Sequence, residues 1–422
     1  MRVLLLIALF GCTPPPARES VVLRIAVGGP LGELAPTGSE SGLSSIAQPW
    51  VYDKLVTVDP SGNLKPVLAA RVERLSTEQM RAELRPDATF SDGAQVTEGD
   101  VIRSLEAGGL VNVALSQGAF VVRSRQPGLP VDALLLQAYV FRESQGRVLG
   151  SGPFTVASQS QSELRLTRRT PQAGRVNEVR LIAYKTPRDA FAHTLKGDAN
   201  LIIDVEPRSV EFFRDVPSLQ IIHGAGRSTD AIIFSPTLSR ADRVQLSEVL
   251  ASSQLRELAY GSGECAEGAS APRNDRSAMM TRSVLRILSW GPFERLALAT
   301  RRILATRGGE ILHVSPQDAI SRVASGAFDI VTARPLRWPP SSMALVWRTD
   351  GPYNIYGYSN RTVDRALDAS DWAAAEAALR DDPPAALVCT HEQTAVVDAR
   401  IINPRLGPYE TLETLPDWEV AR

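Results

Sequence analysis

Between Tyr52 and Leu105 the chain reverses direction every few residues, and this constrains its fold more than any other stretch. Tyr52 to Val58 is a β-rich apolar run, and Pro60-Ser61-Gly62-Asn63 behind it has the chemistry of a tight turn between hairpin strands. Met80 to Leu84 reads as another strand, followed by a turn at Ser91-Asp92-Gly93. Thr97-Glu98-Gly99-Asp100 then fits a capping box, with the Thr hydroxyl capping a helix whose third residue is acidic. Val101 and Leu105 supply the buried face of that helix. Upstream, Val22 to Val27 predicts a strand ending in a Gly28-Gly29-Pro30 turn, and Ser41 to Trp50 a short helix. Downstream, Phe154 to Val156 and Glu163 to Thr167 predict a hairpin, Arg188 to Leu195 a helix and Leu201 to Asp204 a buried strand. Short strands mixed with short helices, and no internal repeat, argue for α/β layers.

The N-terminus has a different character. Arg2 is the single charge before the apolar run Val3 to Phe10, which matches the h-region of a signal peptide. Spanning a bilayer as a helix takes about 20 apolar residues, far more than this run offers. Leu9-Phe10-Gly11-Cys12 resembles the lipobox of bacterial lipoproteins, in which the Cys becomes an acylated N-terminus. That resemblance implies a signal peptide at 1–11 and a lipidated tether at 12–20, with Thr13-Pro14-Pro15-Pro16 extended. The alternative is an ordinary cleaved signal peptide with an incidental Cys.

Elsewhere the sequence excludes more than it assigns. A chain of 422 residues, 44% hydrophobic, is ample for two core-forming domains of ~100–200 residues each. A formal net charge of −1 gives no electrostatic case for nucleic acid. Only four of the 46 basic residues are Lys, a bias that carries no binding signature. With Cys12 committed to lipid, Cys265 and Cys389 remain in an exported chain, either paired or as two buried thiols. His193, His223, His313 and His391 are scattered and no Cys/His cluster exists, so neither a metal site nor a cofactor is expected. No Gly-x-Ser-x-Gly elbow, phosphate loop, HExxH or dinucleotide fingerprint is present, so an enzyme is not expected either.

The segments YDKLVTVDPSGNLKPVLA and ELRPDATFSDGAQVTEGDV resemble the family 5 extracellular solute-binding proteins, which include dipeptide, oligopeptide and nickel receptors of ABC importers. Ser151-Gly152-Pro153-Phe154, Leu195-Lys196-Gly197-Asp198, Gly326-Ala327-Phe328-Asp329 and Tyr358-Ser359-Asn360 with Val363-Asp364 extend the similarity over nearly the whole mature chain. The resemblance implies a two-lobed α/β fold of the periplasmic-binding-protein kind (type II), with two hinge strands joining the lobes. Lobe I would hold residues 21–235, including an appended subdomain at 46–149, lobe II would hold 236–393, and 394–422 would return to lobe I. The hinge would pass through Ile232-Ile233-Phe234 and Ala395-Val396-Val397. Closure around a solute is the state that ABC permease subunits would recognise.

Peptide-binding relatives carry an acidic residue after the Gly-x-Phe-Asp strand that pairs with the peptide ammonium. Here no acidic residue lies between Asp329 and Asp350. Arg334 and Arg337 would instead favour a carboxylate-bearing solute, unless both are solvated loop residues. Trp338 would stack on the solute or simply pack. Tyr353 and Tyr356 would form a cleft wall or support the helix that follows, which Asn360 or Ser359 caps. Gly28 and Gly29 would let a ligand approach the backbone or make a turn. The function expected is therefore capture of a peptide or other small solute by a receptor lipid-anchored in the bacterial cell envelope, facing the periplasm or exterior. The competing reading is a divergent lipoprotein of the same fold, a sensor or envelope scaffold, to which the missing carboxylate and Ser235, at a hinge place where relatives usually carry Asn, both point.

Overall fold

Val22–Gly28, the first predicted strand, enters the middle of one half of a ten-stranded sheet. The computed structural model describes residues 21–37, 41–205, 207–261, 265, 284–290, 293–305, 308–335 and 339–421. In the first half Val22–Gly28 lies between Glu178–Tyr184 and Leu201–Ile203, and the hairpin Phe154–Gln159 and Glu163–Arg168 closes the edge. The second half is built from Ile330–Ala333, Leu285–Ser289 and Gly309–His313. Leu219–Phe234 and Ala385–Asp398, of 16 and 14 residues, lie between the halves.

These two long strands pair antiparallel with each other over nearly their whole length, from Leu219 opposite Asp398 to Ile233 opposite Ala385. The register shifts twice, between His223 and Arg227 and between Asp230 and Ala231. Near one end Ala385–Asp398 takes Leu201–Ile203 alongside through Ala395–Val397. At the other, Leu219–Phe234 takes Ile330–Ala333 alongside through Ala231–Phe234. Among the described residues, only these two strands belong to both halves of the sheet.

Each half has its own core. Leu23, Ile25, Leu166, Leu181, Leu201 and Val397 bury one face of the first half, while Phe213 and Ala190 cover the other from the helices Pro207–Arg214 and Pro187–Lys196. Ile232, Phe234, Leu250, Ile287, Leu296 and Val388 form the matching core of the second half. A third cluster is centred on residues 55–140. There Ala69–Arg74, Gln79–Leu84, Ala119–Ser124 and Val111–Ser116 make a four-stranded sheet under the helix Glu98–Ala107. Met80 and Phe120 are fully buried in it, and burial of a side chain of this size contributes ~1.5–3 kcal/mol. The same cluster continues through Leu129, Val131 and Leu134–Leu136 into Met343–Trp347, Val363 and Leu367 of the second half.

Several local expectations are met with the residues named for them. Thr97 Oγ1 accepts from the Asp100 amide, while Asp100 accepts from the Thr97 amide at 2.9 Å, closing the capping box. Asp100 is also the anchor of Arg103 and Arg142, both at 2.6 Å. Burial opposes its ionisation, but the hydrogen bonds from Arg142 and Thr97 and the Arg142 charge pull its pKa down to about 2. Asn360 caps Arg361–Asp368. One expectation fails. Tyr52 to Val58 is not a single strand: Asp53–Lys54 pairs with Tyr139–Val140, and Val56–Val58 with Leu64–Pro66. The break falls at Leu55, whose side chain is fully buried and whose carbonyl accepts from Val67 and Ala69. Those tertiary bonds override the continuous β pattern.

Candidate functional site

In parallel sheets the loops that leave the carboxyl ends of the strands collect ligands. Leu201–Ile203 runs antiparallel to Ala385–Asp398 and so points from the first half toward the second. Ile330–Ala333 runs antiparallel to Leu219–Phe234 and so points from the second half toward the first. Val22–Gly28 is parallel to the former, and Leu285–Ser289 to the latter. The carboxyl ends of both sets thus face each other across the shared pair of strands. Asp204 leaves one, Arg334 the other.

There they meet. Arg334 donates from Nε to Asp230 Oδ1 at 2.8 Å and from Nη1 to Asp204 Oδ1 at 3.2 Å. The Phe293 ring centre lies 5.7 Å from the guanidinium carbon. The second Asp230 oxygen accepts from the Tyr260 hydroxyl at 2.9 Å and lies 3.3 Å from His391 Nε2. Asp204, Asp230, Tyr260, Phe293, Arg334 and His391 line a small cavity. Burial opposes the Arg334 cation, but Asp204 and Asp230 outweigh it and hold the group firmly protonated. Burial likewise opposes the Asp230 anion, yet His391 and Arg334 keep its pKa below the ordinary carboxylate value.

Arg334 is therefore at the junction, with its charge matched by two carboxylates. Arg337 and Trp338, also expected there, lie outside the described residues, as does Cys12. Gly28 and Gly29 do not line the cavity. A Cβ on Gly28 would stand 2.3 Å from the Pro187 nitrogen, so glycine there lets the helix Pro187–Lys196 lie against the strand. A Cβ on Gly29 would come within 3.1 Å of Leu43 Cδ1. Tyr356 stacks on Trp347 with ring centres 5.9 Å apart, and Tyr353, at the exposed surface, donates its backbone N–H to the Leu345 carbonyl at 2.8 Å. Cys265 and Cys389 are joined in a disulfide, and Cys389 stands opposite Asp230 in the paired strands. Sequence reasoning passed over Asp230, Tyr260, Phe293 and His391. The one local signal was an acidic residue at the edge of an apolar strand, as in LIID and DAIIF.

A second charged cluster lies where the C-terminal segment meets the paired strands Asp53–Lys54 and Tyr139–Ser144. Lys54, 7% exposed, pairs with Glu410 at 2.9 Å, between the rings of Tyr139 and Tyr409 at 4.5 and 5.1 Å. Glu413 is close by, and among the described residues its side-chain donor is the Thr57 hydroxyl at 3.5 Å. Burial, reinforced by the Glu410 charge, pushes its pKa from 4.5 up to about 7. The folded protein thus binds a proton here that the unfolded chain has released. Stability from this group is complete below pH 4.5 and disappears as pH rises through 7. The shift corresponds to ~3 kcal/mol. Glu413→Gln, which mimics the protonated form, is expected to unfold at higher urea than the parent at pH 8 and at a similar concentration at pH 5. Equal midpoints at pH 8 would contradict this.

No protein-family model matches this chain. No curated protein matches it in sequence. Solved structures do match. The oligopeptide-binding protein AppA from Bacillus subtilis, in complex with a nonapeptide, superposes with a TM-score of 0.77 at 13% identity, over 95% of this chain and 99% of that one. NikA from Staphylococcus aureus, in complex with Ni(L-His)2, gives 0.75 at 13%, over 94% and 99%. The murein tripeptide binding protein MppA from Escherichia coli gives 0.75 at 16%, over 96% and 99%. The chain has the two-lobed α/β fold of these binding proteins, as its sequence resemblance implies.

Proposed function

We propose that the protein is an extracytoplasmic solute-binding receptor of an ABC importer, which captures a peptide or other small solute by closing one lobe over the other. The observation that carries this reading is the pair of long strands, Leu219–Phe234 and Ala385–Asp398, which both lobes share and beside which the carboxyl ends of the strands converge. Two strands acting as a hinge allow rotation of one lobe against the other. The likeness to AppA, NikA and MppA, crystallised as or named as binding proteins for peptides or nickel complexes, supports the same reading. Nothing in it requires covalent chemistry. Acylation of Cys12 would hold the receptor on the membrane. No described helix is long and apolar enough to cross one.

The test is a thermal-shift screen of the protein against di- and oligopeptides, amino acids, nickel–histidine complexes and organic acids, with small-angle scattering on any hit. A solute at 100 times its Kd stabilises the fold by about 2.7 kcal/mol, and closure should reduce the radius of gyration. A hit with compaction supports the receptor. A folded protein that answers to nothing in the panel moves the reading to the envelope scaffold.

A further inference from the structure

The two carboxylates on Arg334 are not equivalent. Asp230 is 6% exposed, and both its oxygens are engaged, by Arg334, by the Tyr260 hydroxyl and by His391. It lies on a strand that both lobes share. Asp204 is 37% exposed and holds Arg334 through a single contact at 3.2 Å. Its backbone has φ +53°, in the left-handed region that glycine enters freely and Asp or Asn only occasionally. One partner is built in. The other stands in an uncommon backbone conformation, is over a third open to solvent and is carried on the opposite lobe.

A guanidinium offers its Nη edge to carboxylates in a flat, directional arrangement. Asp230 takes the Nε side, the Phe293 ring stands over the guanidinium carbon, and Asp204 reaches Nη1 from across the cleft. We propose that Asp204 is an exchangeable internal ligand: a carboxylate-bearing solute entering between the lobes takes its place on Arg334, while Asp230 keeps the guanidinium aimed. The exchange swaps one negative charge for another, so the local charge balance is unchanged, and it sends Asp204 toward the solvent it already touches. A solute of the same shape without a carboxylate cannot displace it. The inference rests on the receptor reading above and narrows the solute to one chemistry, whether a free organic acid or the C-terminus of a peptide.

Titration calorimetry on the parent protein and on Asp204→Asn, Asp204→Gly and Arg334→Gln decides the matter. Both position-204 variants remove the competing charge and tolerate the left-handed backbone. Succinate and alanyl-alanine are the carboxylate probes, succinamide and alanyl-alanine amide their neutral counterparts. The expected result is binding of at least one acid about tenfold tighter to both Asp204 variants than to the parent, equivalent to ~1.4 kcal/mol. The amides should gain nothing, and Arg334→Gln should abolish the gain. Tightening for succinate alone points to free acids, for the dipeptide alone to peptide C-termini. Unchanged or weaker acid binding in the Asp204 variants overturns the exchange, as does an equal gain for the amides. If the thermal-shift screen finds a solute whose affinity ignores both positions, the receptor stands and the exchange falls. If neither the screen nor these probes show binding to any form, both fall.

Discussion

Asp230→Ala is expected to lower the unfolding free energy by about 3–5 kcal/mol, the cost of leaving a largely buried charge without its main partner. The side chain serves three groups at once: Arg334, the Tyr260 hydroxyl and His391. Its removal strips the guanidinium of the shorter of its two ion pairs among the described residues, leaving the 3.2 Å contact to Asp204. Urea denaturation near pH 7 measures the loss, and a loss below ~1 kcal/mol would show that the network around the guanidinium contributes little. The sign with pH follows from the lowered pKa of Asp230. Its contribution is whole above the ordinary carboxylate value of 3.8 and disappears as pH falls through the lower folded value, so the difference between parent and variant should shrink in acid.

Removal of the disulfide by Cys265→Ala together with Cys389→Ala is expected to cost up to ~5 kcal/mol, the loop-closure value for a long loop. The bond spans 124 residues of sequence, so the unfolded chain it constrains is large. Urea midpoints of the parent, oxidised and reduced, against the double variant give the number. The reduced parent should unfold close to the double variant. If oxidised parent and variant unfold together, the bond does not stabilise the fold.

Much of this architecture is legible in local chemistry. Thr97 and Asp100 are three residues apart, and the box they close needs nothing from the rest of the chain. Asn360 caps its helix in the same way. The charged junction is invisible for the opposite reason. Arg334 meets partners 104 and 130 residues away, and nothing in either neighbourhood marks them as partners. Gly28 has a packing role that only the placement of Pro187 discloses. The broken strand at Leu55 is likewise decided by carbonyl partners from the following segment, which no pattern of side chains announces.

The paired ribbon Leu219–Phe234 and Ala385–Asp398 has a mechanical consequence. Strands hydrogen-bonded to each other can twist and bend, but they cannot lengthen or slide without breaking the bonds that pair them. If the lobes turn about this ribbon, as the proposed receptor requires, they would have angular freedom and almost no translational freedom. Any part of a lobe sweeps an arc in proportion to its distance from the ribbon. Asp230 lies on the ribbon itself, so in the proposed receptor a solute held at Arg334 would sit near the pivot, and the rim of the lobes would convert a small local adjustment into a large displacement.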